Sequence, residues 1–153
     1  MPRAEAYLRA GEQWLLADDA AAAAGDFQRA LDEGGPAFVE ARVALARALY
    51  LLGRADEAAA LVGQLEAEGR KDPRLCDLVA ELLVEQLDFI GALDWANSGV
   101  ELCLPMEQPL AVPPQLPPDV DRTELRLLLS LRYRIRNDIG LPEDGYDKLL
   151  DEI

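Results

Sequence analysis

The chain has 153 residues, of which 50% are hydrophobic but only 6% aromatic, and its formal net charge is −14. A core of this composition must be built mainly from Leu, Ala and Val, which suits packed helices better than β-sheets. Histidine is absent, which removes the usual general base and the commonest zinc ligand. The negative charge excludes a generic nucleic-acid-binding surface, because phosphate backbones carry charge of the same sign.

Motifs for catalysis and metal binding are missing from the sequence. No P-loop, nucleophile elbow or calcium-loop spacing occurs, and the two cysteines, Cys76 and Cys103, form no CxxC pair. Acidic pairs such as Asp18–Asp19 and Glu143–Asp144 are interpreted as solvated charges or helix-start residues. We therefore predict a protein that is not an enzyme, with no cofactor and no metal.

The compartment is predicted from three features of composition. The N-terminal stretch MPRAEAYLRAGEQ lacks the apolar run of a signal peptide, and no apolar stretch approaches the ~20 residues of a membrane span. Both cysteines have apolar neighbours, which indicates buried free thiols and a reducing environment. We expect a cytoplasmic protein without a membrane partner. Thirteen arginines against two lysines suggest the coding bias of a GC-rich bacterial genome.

Hydrophobic periodicity predicts six helices in the first two thirds of the chain, near 4–17, 20–33, 37–52, 55–69, 73–87 and 89–103. They fall into three units with one pattern. The first reads Tyr7-x2-Ala10-Gly11-x2-Trp14, then Ala23-x3-Phe27-x2-Ala30, then Pro36. The second reads Arg42-x2-Leu45-Ala46-x2-Leu49, then Gly53, then Ala58-x3-Val62-x2-Leu65, then Pro73. The third reads Cys76-x2-Val79-Ala80-x2-Leu83, then Ala92-x3-Ala96-x2-Gly99, then Pro105.

This pattern resembles the tetratricopeptide repeat, whose units of about 34 residues each contain two helices, A and B. The resemblance covers about residues 3–105, as units 4–36, 39–72 and 73–105. It implies an all-α fold, a right-handed α-solenoid of three helix pairs. It also implies small residues where helices A and B cross, and these are Gly11, Ala46, Ala80, Ala23, Ala58 and Ala92. The alternative is an unrelated all-α bundle with accidental periodicity.

The last third of the chain has a different composition. Residues 106–120 are rich in proline, which predicts a stiff, extended connector. Residues 121–139 predict a basic helix that begins at the N-cap Asp121 and stops before Pro142. Its five arginines are Arg122, Arg126, Arg132, Arg134 and Arg136. A short acidic helix is expected near 143–152, and the stretch 131–147 is similar to the end of small bacterial proteins with tetratricopeptide repeats.

Three roles are open for the Arg-rich helix. It could cap the third unit, since solenoids need a helix that covers their last apolar face. It could instead pair with a second copy of itself or with another partner. A position on a membrane surface is the third alternative, which the acidic remainder of the chain disfavours.

The resemblance also implies a function, because proteins of this family are interaction scaffolds whose helix A side chains line a concave groove. The groove residues would be Glu5, Leu8, Arg9, Glu12 and Leu15, then Glu40, Val43, Ala44, Arg47, Tyr50 and Leu51, then Asp77, Leu78, Glu81, Val84 and Glu85. Family members that hold chaperone tails use Lys, Arg and Asn at set positions. At those positions this chain has Leu8, Glu12, Val43, Ala44 and Arg47 instead. A chaperone-tail receptor is therefore not expected.

We predict an adaptor that binds a protein or peptide, with a basic amphipathic segment as the expected ligand. The chain's own Arg-rich helix is one candidate for that segment. The alternative is a homodimeric structural subunit assembled through the same helix. Neither interpretation involves nucleic acid.

Overall fold

The computed structural model describes residues 2–104 and 115–153. Contacts divide the chain into two compact units, of which the first ends at Gly69 and the second is Arg70–Ile153. Every regular element of the described residues is helical, which confirms the all-α class. Pro105 and residues 106–114 of the predicted proline-rich connector lie outside the described residues.

The first unit contains four helices, and each begins and ends within one residue of the predicted position. They are α1 (Arg3–Leu16), α2 (Ala20–Glu33), α3 (Phe38–Leu51) and α4 (Ala55–Glu68). Within the unit, each helix packs against the one that follows it, and α1 also contacts α3. Short turns between packed neighbours make the pairs antiparallel, so α1 and α3 correspond to helix A, and α2 and α4 to helix B.

Small residues allow the helices of the first unit to approach closely, as predicted. A Cβ atom added to Gly11 on α1 would lie only 2.4 Å from the ring atom Cε1 of Phe27 on α2. Phe27, Ala23, Ala46 and Ala58 are all completely buried. The aromatic ring therefore fills the space that a side chain at position 11 would occupy.

The second unit begins with a third helix pair, α5 (Pro73–Glu85) and α6 (Phe89–Cys103). It continues with α7 (Arg122–Asp138) and α8 (Gly145–Lys148), which is followed by a 3-10 turn at Leu149–Asp151. Asp121 caps α7 as predicted, since its side chain accepts hydrogen bonds from the backbone N–H groups of Thr123 and Glu124 at 3.0 and 3.1 Å. Helix α7 packs against both α6 and α5, and α8 packs against α7.

Helix α7 has the burial pattern of a helix A. The buried positions of α5 are Leu75, Cys76, Val79, Ala80, Leu82 and Leu83. Those of α7 are Leu125, Leu128, Leu129, Leu131, Arg132 and Ile135. The intervals from 76 to 83 repeat from 125 to 132, so the same face of each helix is buried. The packing is close, since a Cβ atom on Gly99 of α6 would lie 2.6 Å from Leu128 Cδ2.

The turn that ends α7 is also the turn of a helix A. In α1, α3, α5 and α7 the second residue after the helix has a positive φ, between 60° and 78°, namely Asp18, Gly53, Leu87 and Gly140. The next backbone N–H in each turn donates to the carbonyl five residues earlier at 2.8–2.9 Å, as in a Schellman motif. Helix α7 therefore covers α5 and α6 as the first helix of a shortened fourth pair, which is the capping role.

Candidate functional site

Four of the predicted groove residues of the first unit line an open cavity of about 420 Å³. The N-terminal half of α1, the loop after α2 and the start of α3 line it. Glu5, Leu8, Arg9 and Glu40 are among the lining residues. The first three share one face of α1 because they are three and four residues apart, and the contact between α1 and α3 brings Glu40 to the same place.

Negative charge dominates the surroundings of Arg9. Its guanidinium lies 3.0 Å from a carboxylate oxygen of Glu12 and 4.0 Å from Glu5. A hydrogen bond to Glu12, followed by the charges of Glu12, Glu40 and Glu5, raises the pKa of Arg9 above its usual value. Arg9 therefore shares three carboxylates. With Arg47 of α3 included, the predicted groove residues of the face formed by α1 and α3 carry three carboxylates and two cations, an excess of one negative charge.

The predicted groove residues of this face differ in how deeply their side chains are buried. Leu8 and Val43 are only 1% exposed and belong to the core of the unit. Leu15, Arg47 and Tyr50 are half-buried. A ligand on this face would therefore contact the charged side chains and the half-buried ones, while Leu8 and Val43 support the surface from below.

In the second unit the predicted residues Asp77, Leu78, Glu81 and Glu85 lie on α5, where Asp77 and Leu78 are half-buried and the two glutamates exposed. Burial raises the pKa of Asp77 to about 6, and the neighbouring charges of Glu81 and Glu124 add to this effect. Glu124 is the third residue of α7. The acidic side chains of α5 and the start of α7 thus form a second negative surface.

Helix α7 also contributes a cation to this second negative surface, which we call the α5 surface. The sequence did not indicate this role for α7. Arg134 lies 3.6 Å from Glu81. With Leu131 it lines a small cavity of about 140 Å³ beside Glu81, Val84 and Glu85. The buried positions of α5 repeat in α7 after a shift of 49 residues, from 76 to 125, and this repeat could have identified α7 as a helix A. The other units are separated by 34 or 35 residues, so α7 does not fit their period.

The five arginines predicted as one basic helix divide into two groups. Arg132 is buried and donates hydrogen bonds to Asp144, Asp147 and Asn97 at distances of 2.7–3.0 Å. Arg136 lies within 3.5 Å of both aspartates. These two arginines attach α7 to the C-terminal segment. Arg122, Arg126 and Arg134 are exposed on the helix surface.

Burial alone would raise the pKa of Asp144, but its hydrogen bonds to Arg132 and to the backbone N–H of Asp147, with the charges of Arg132 and Arg136, lower it to about 2. Asp144 also accepts hydrogen bonds from the N–H groups that begin α8. The α-helix in this segment, α8, is shorter than the helix expected near 143–152. Its N-cap Asp144 and its Asp147 supply the counter-charges of Arg132 and Arg136.

A further cavity of about 560 Å³ lies among α2, α3 and α4 of the first unit. Small and apolar side chains dominate its lining, including Ala24, Gly25, Leu45 and Leu49. None of the predicted groove residues lines it. The cavity thus belongs to the helix B side of the unit and not to the face formed by α1 and α3.

The described residues offer neither a metal site nor a membrane span. Within 2–104 and 115–153, no group of three or more Cys, Asp or Glu side chains is arranged so that it could hold a metal ion. The helices described in the same ranges are too short or too polar to cross a lipid bilayer.

Comparison with known proteins identifies the repeat. Residues 15–82 match the family model described as tetratricopeptide repeat. No curated protein matches the chain. The family match and the consecutive helix pairs confirm the resemblance predicted from the sequence.

Proposed function

Since residues 15–82 carry tetratricopeptide repeats, which generally mediate protein–protein interaction, we propose that this chain is a non-enzymatic adaptor that binds a basic, amphipathic peptide or partner helix. The ligand occupies the face formed by α1 and α3. The observation that carries this proposal is the position of Arg9, which shares the three carboxylates Glu5, Glu12 and Glu40 beside a cavity of about 420 Å³.

The composition of that cavity supports a ligand with both apolar and cationic groups. The apolar groups of Pro36 and Ala37 are part of its lining and are accessible, so a ligand can pack a hydrophobic side chain against them. A lysine or arginine next to that side chain gains from the surplus of carboxylates around Arg9. A basic amphipathic helix offers this combination at neighbouring positions of one face.

The α5 surface of the second unit supports a ligand of the same charge. Asp77 has a pKa of about 6 in part because Glu81 and Glu124 repel its ionised form. A cation bound there would favour the ionised form and lower that pKa. Binding of a basic ligand to α5 would then become tighter as the pH rises from about 5 to 7.

The test is a titration of the full chain with a fluorescent, synthetic amphipathic helix whose polar positions are all lysine. We expect the double variant Glu5→Gln/Glu40→Gln to weaken binding by about tenfold. Glu101→Gln is the matched control, because Glu101 is an exposed carboxylate on α6, and it should leave the affinity unchanged. Equal affinities of both variants and the unmodified protein would refute binding on this face.

The alternative function is a homodimeric structural subunit assembled through α7. The apolar side of α7 is covered by α5 and α6, so such a dimer would have to use the exposed side of the helix. Sedimentation of the full chain separates the two functions, because the subunit alternative requires a stable dimer and the adaptor does not.

A further inference from the structure

The exposed side of α7 carries a stripe of basic and apolar side chains. Its members are Arg126, Leu127, Ser130, Tyr133 and Arg134, which recur at intervals of three and four residues and so follow one face of the helix. Leu127 and Tyr133 are 48% and 43% exposed. We call these five residues the α7 stripe.

The cations of the α7 stripe are not neutralised as Arg132 and Arg136 are. Arg132 and Arg136 are paired with Asp144 and Asp147. Arg126 has no ion pair with any residue in the part of the chain that the structure describes, and Arg134 makes one contact of 3.6 Å with Glu81 while its side chain stays 62% exposed. The stripe is thus a local positive surface on a chain with a net charge of −14.

The side chains of the stripe are of the types that dominate protein interfaces. Arginine and tyrosine are enriched among residues that contribute most to binding, and charge-assisted contacts of arginine to carboxylates are strong and directional. Arg126 and Arg134 are eight residues apart, which corresponds to about 12 Å along the helix axis. Leu127 and Tyr133 lie between them, so two cationic positions enclose an apolar one.

From this arrangement we infer that the α7 stripe is a second interaction surface, which binds an acidic amphipathic segment of a partner protein. The partner would present carboxylates about two helical turns apart, opposite Arg126 and Arg134, with an apolar side chain between them for Leu127 and Tyr133. Charge complementarity selects this partner, because a basic segment would meet like charge at both ends of the stripe.

This surface differs in sign from the face formed by α1 and α3, so the two can be tested separately. The probe is a fluorescent, synthetic amphipathic helix of about 15 residues, with leucine on one face and glutamate at every polar position. Its counterpart has lysine in place of each glutamate. Both peptides are titrated into the full chain and followed by fluorescence anisotropy, at low and at moderate salt.

We expect the acidic peptide to bind, more weakly at the higher salt, and both Arg126→Glu and Tyr133→Ala to lower its affinity by about tenfold or more. Lys71→Glu is the matched control, because Lys71 is an exposed cation of the same unit outside α7. It should leave the affinity unchanged. None of these changes lies on the face formed by α1 and α3, so binding of the basic peptide to that face should not change.

Two outcomes would overturn the inference. The first is that the acidic peptide does not bind, or binds Arg126→Glu and Tyr133→Ala as tightly as it binds Lys71→Glu. The second is that the full chain sediments as a dimer that both α7 variants dissociate, since the stripe would then be occupied by a second copy of the chain. Failure of the basic peptide alone would refute the proposed function and leave this inference standing.

Discussion

Arg132 and Asp147 form an ion pair at 2.7 Å in which the two side chains are only 3% and 1% exposed. They are fifteen residues apart and belong to different helices, α7 and α8. Because neither charge is hydrated, each depends on the other and on further hydrogen bonds. Arg132 donates to Asn97 Oδ1 and to the Asp144 carboxylate, and Asp147 accepts from the backbone N–H of Asp144. The pair therefore holds the C-terminal segment against α7.

Replacement of Arg132 by methionine should destabilise the protein by about 3–5 kcal/mol, because it leaves Asp147 buried without its main partner. Chemical denaturation measures the change. Arg122→Met is the control on the same helix, since Arg122 is exposed, and it should change the free energy of unfolding by less than about 0.5 kcal/mol. Equal effects of the two substitutions would show that the buried pair contributes nothing to stability.

Replacement by alanine should have opposite effects on the stability of the protein at two glycines. Gly11→Ala should destabilise by about 1–3 kcal/mol, because the added Cβ would lie 2.4 Å from the Phe27 ring and overpack the crossing of α1 and α2. Gly63→Ala, in the interior of α4, should stabilise by about 1 kcal/mol, because no atom lies within 4 Å of its added Cβ and alanine favours the helix. Thermal unfolding of both variants gives the signs. The same sign for both would contradict the close packing at Gly11.

Leu87 is strained in the turn between α5 and α6. Its φ is 62°, a conformation that costs most side chains about 1–2 kcal/mol. Leu87→Gly should therefore stabilise the protein by about 1 kcal/mol, since Leu87 is 74% exposed and loses little burial. Leu141→Gly serves as the control. Leu141 follows the corresponding turn after α7 and has no positive φ, so glycine there should be neutral or destabilising.

The raised pKa of Asp77 should make the free energy of unfolding depend on pH. Its pKa is about 6 in the folded protein against about 4 in an unfolded chain, so the folded state binds the proton more tightly. This contribution to stability is present below about pH 4 and is lost as the pH rises to about 6. The charges that face Asp77 are Glu81 and Arg74 on α5, and Glu124 and Arg134 on α7.

Asp77→Asn should remove this pH dependence. Relative to the unmodified protein, the variant should gain on the order of 1 kcal/mol between pH 4 and 6, a value reduced because Asp77 is partly solvated. Urea denaturation at several pH values measures the difference. A difference for Asp77→Asn that stays constant over this range would contradict the raised pKa of Asp77.

Most of the fold could be predicted because helix periodicity and small residues at fixed intervals are local features. Gly11 and Ala58 mark the crossings of helix pairs in the sequence as well as in the structure. The grouping of the third pair with the C-terminal helices was not predictable in this way. It depends on the packing of α7 against α5. In the sequence, α6 and the proline-rich segment lie between these two helices.

The candidate site was predictable in part. Spacing places Glu5 and Arg9 on one face of α1, but it does not show that Leu8 lies beneath the surface. The role of Arg132 could not be read from the sequence either. Asp144 and Asp147 have the spacing of ordinary helix-start residues, and only the fold brings them to Arg132.

The position of α7 has a consequence for how the chain can assemble. In the sequence, residues 104–121 lie between α6 and α7, and a chain of that length can span at most about 60 Å. The contacts that hold α7 against the third helix pair are those with α5 and α6. The same contacts can form between two molecules that exchange their C-terminal helices. We expect dilution to favour the form in which α7 packs within its own molecule, and refolding at high concentration to favour a domain-swapped dimer with an identical core.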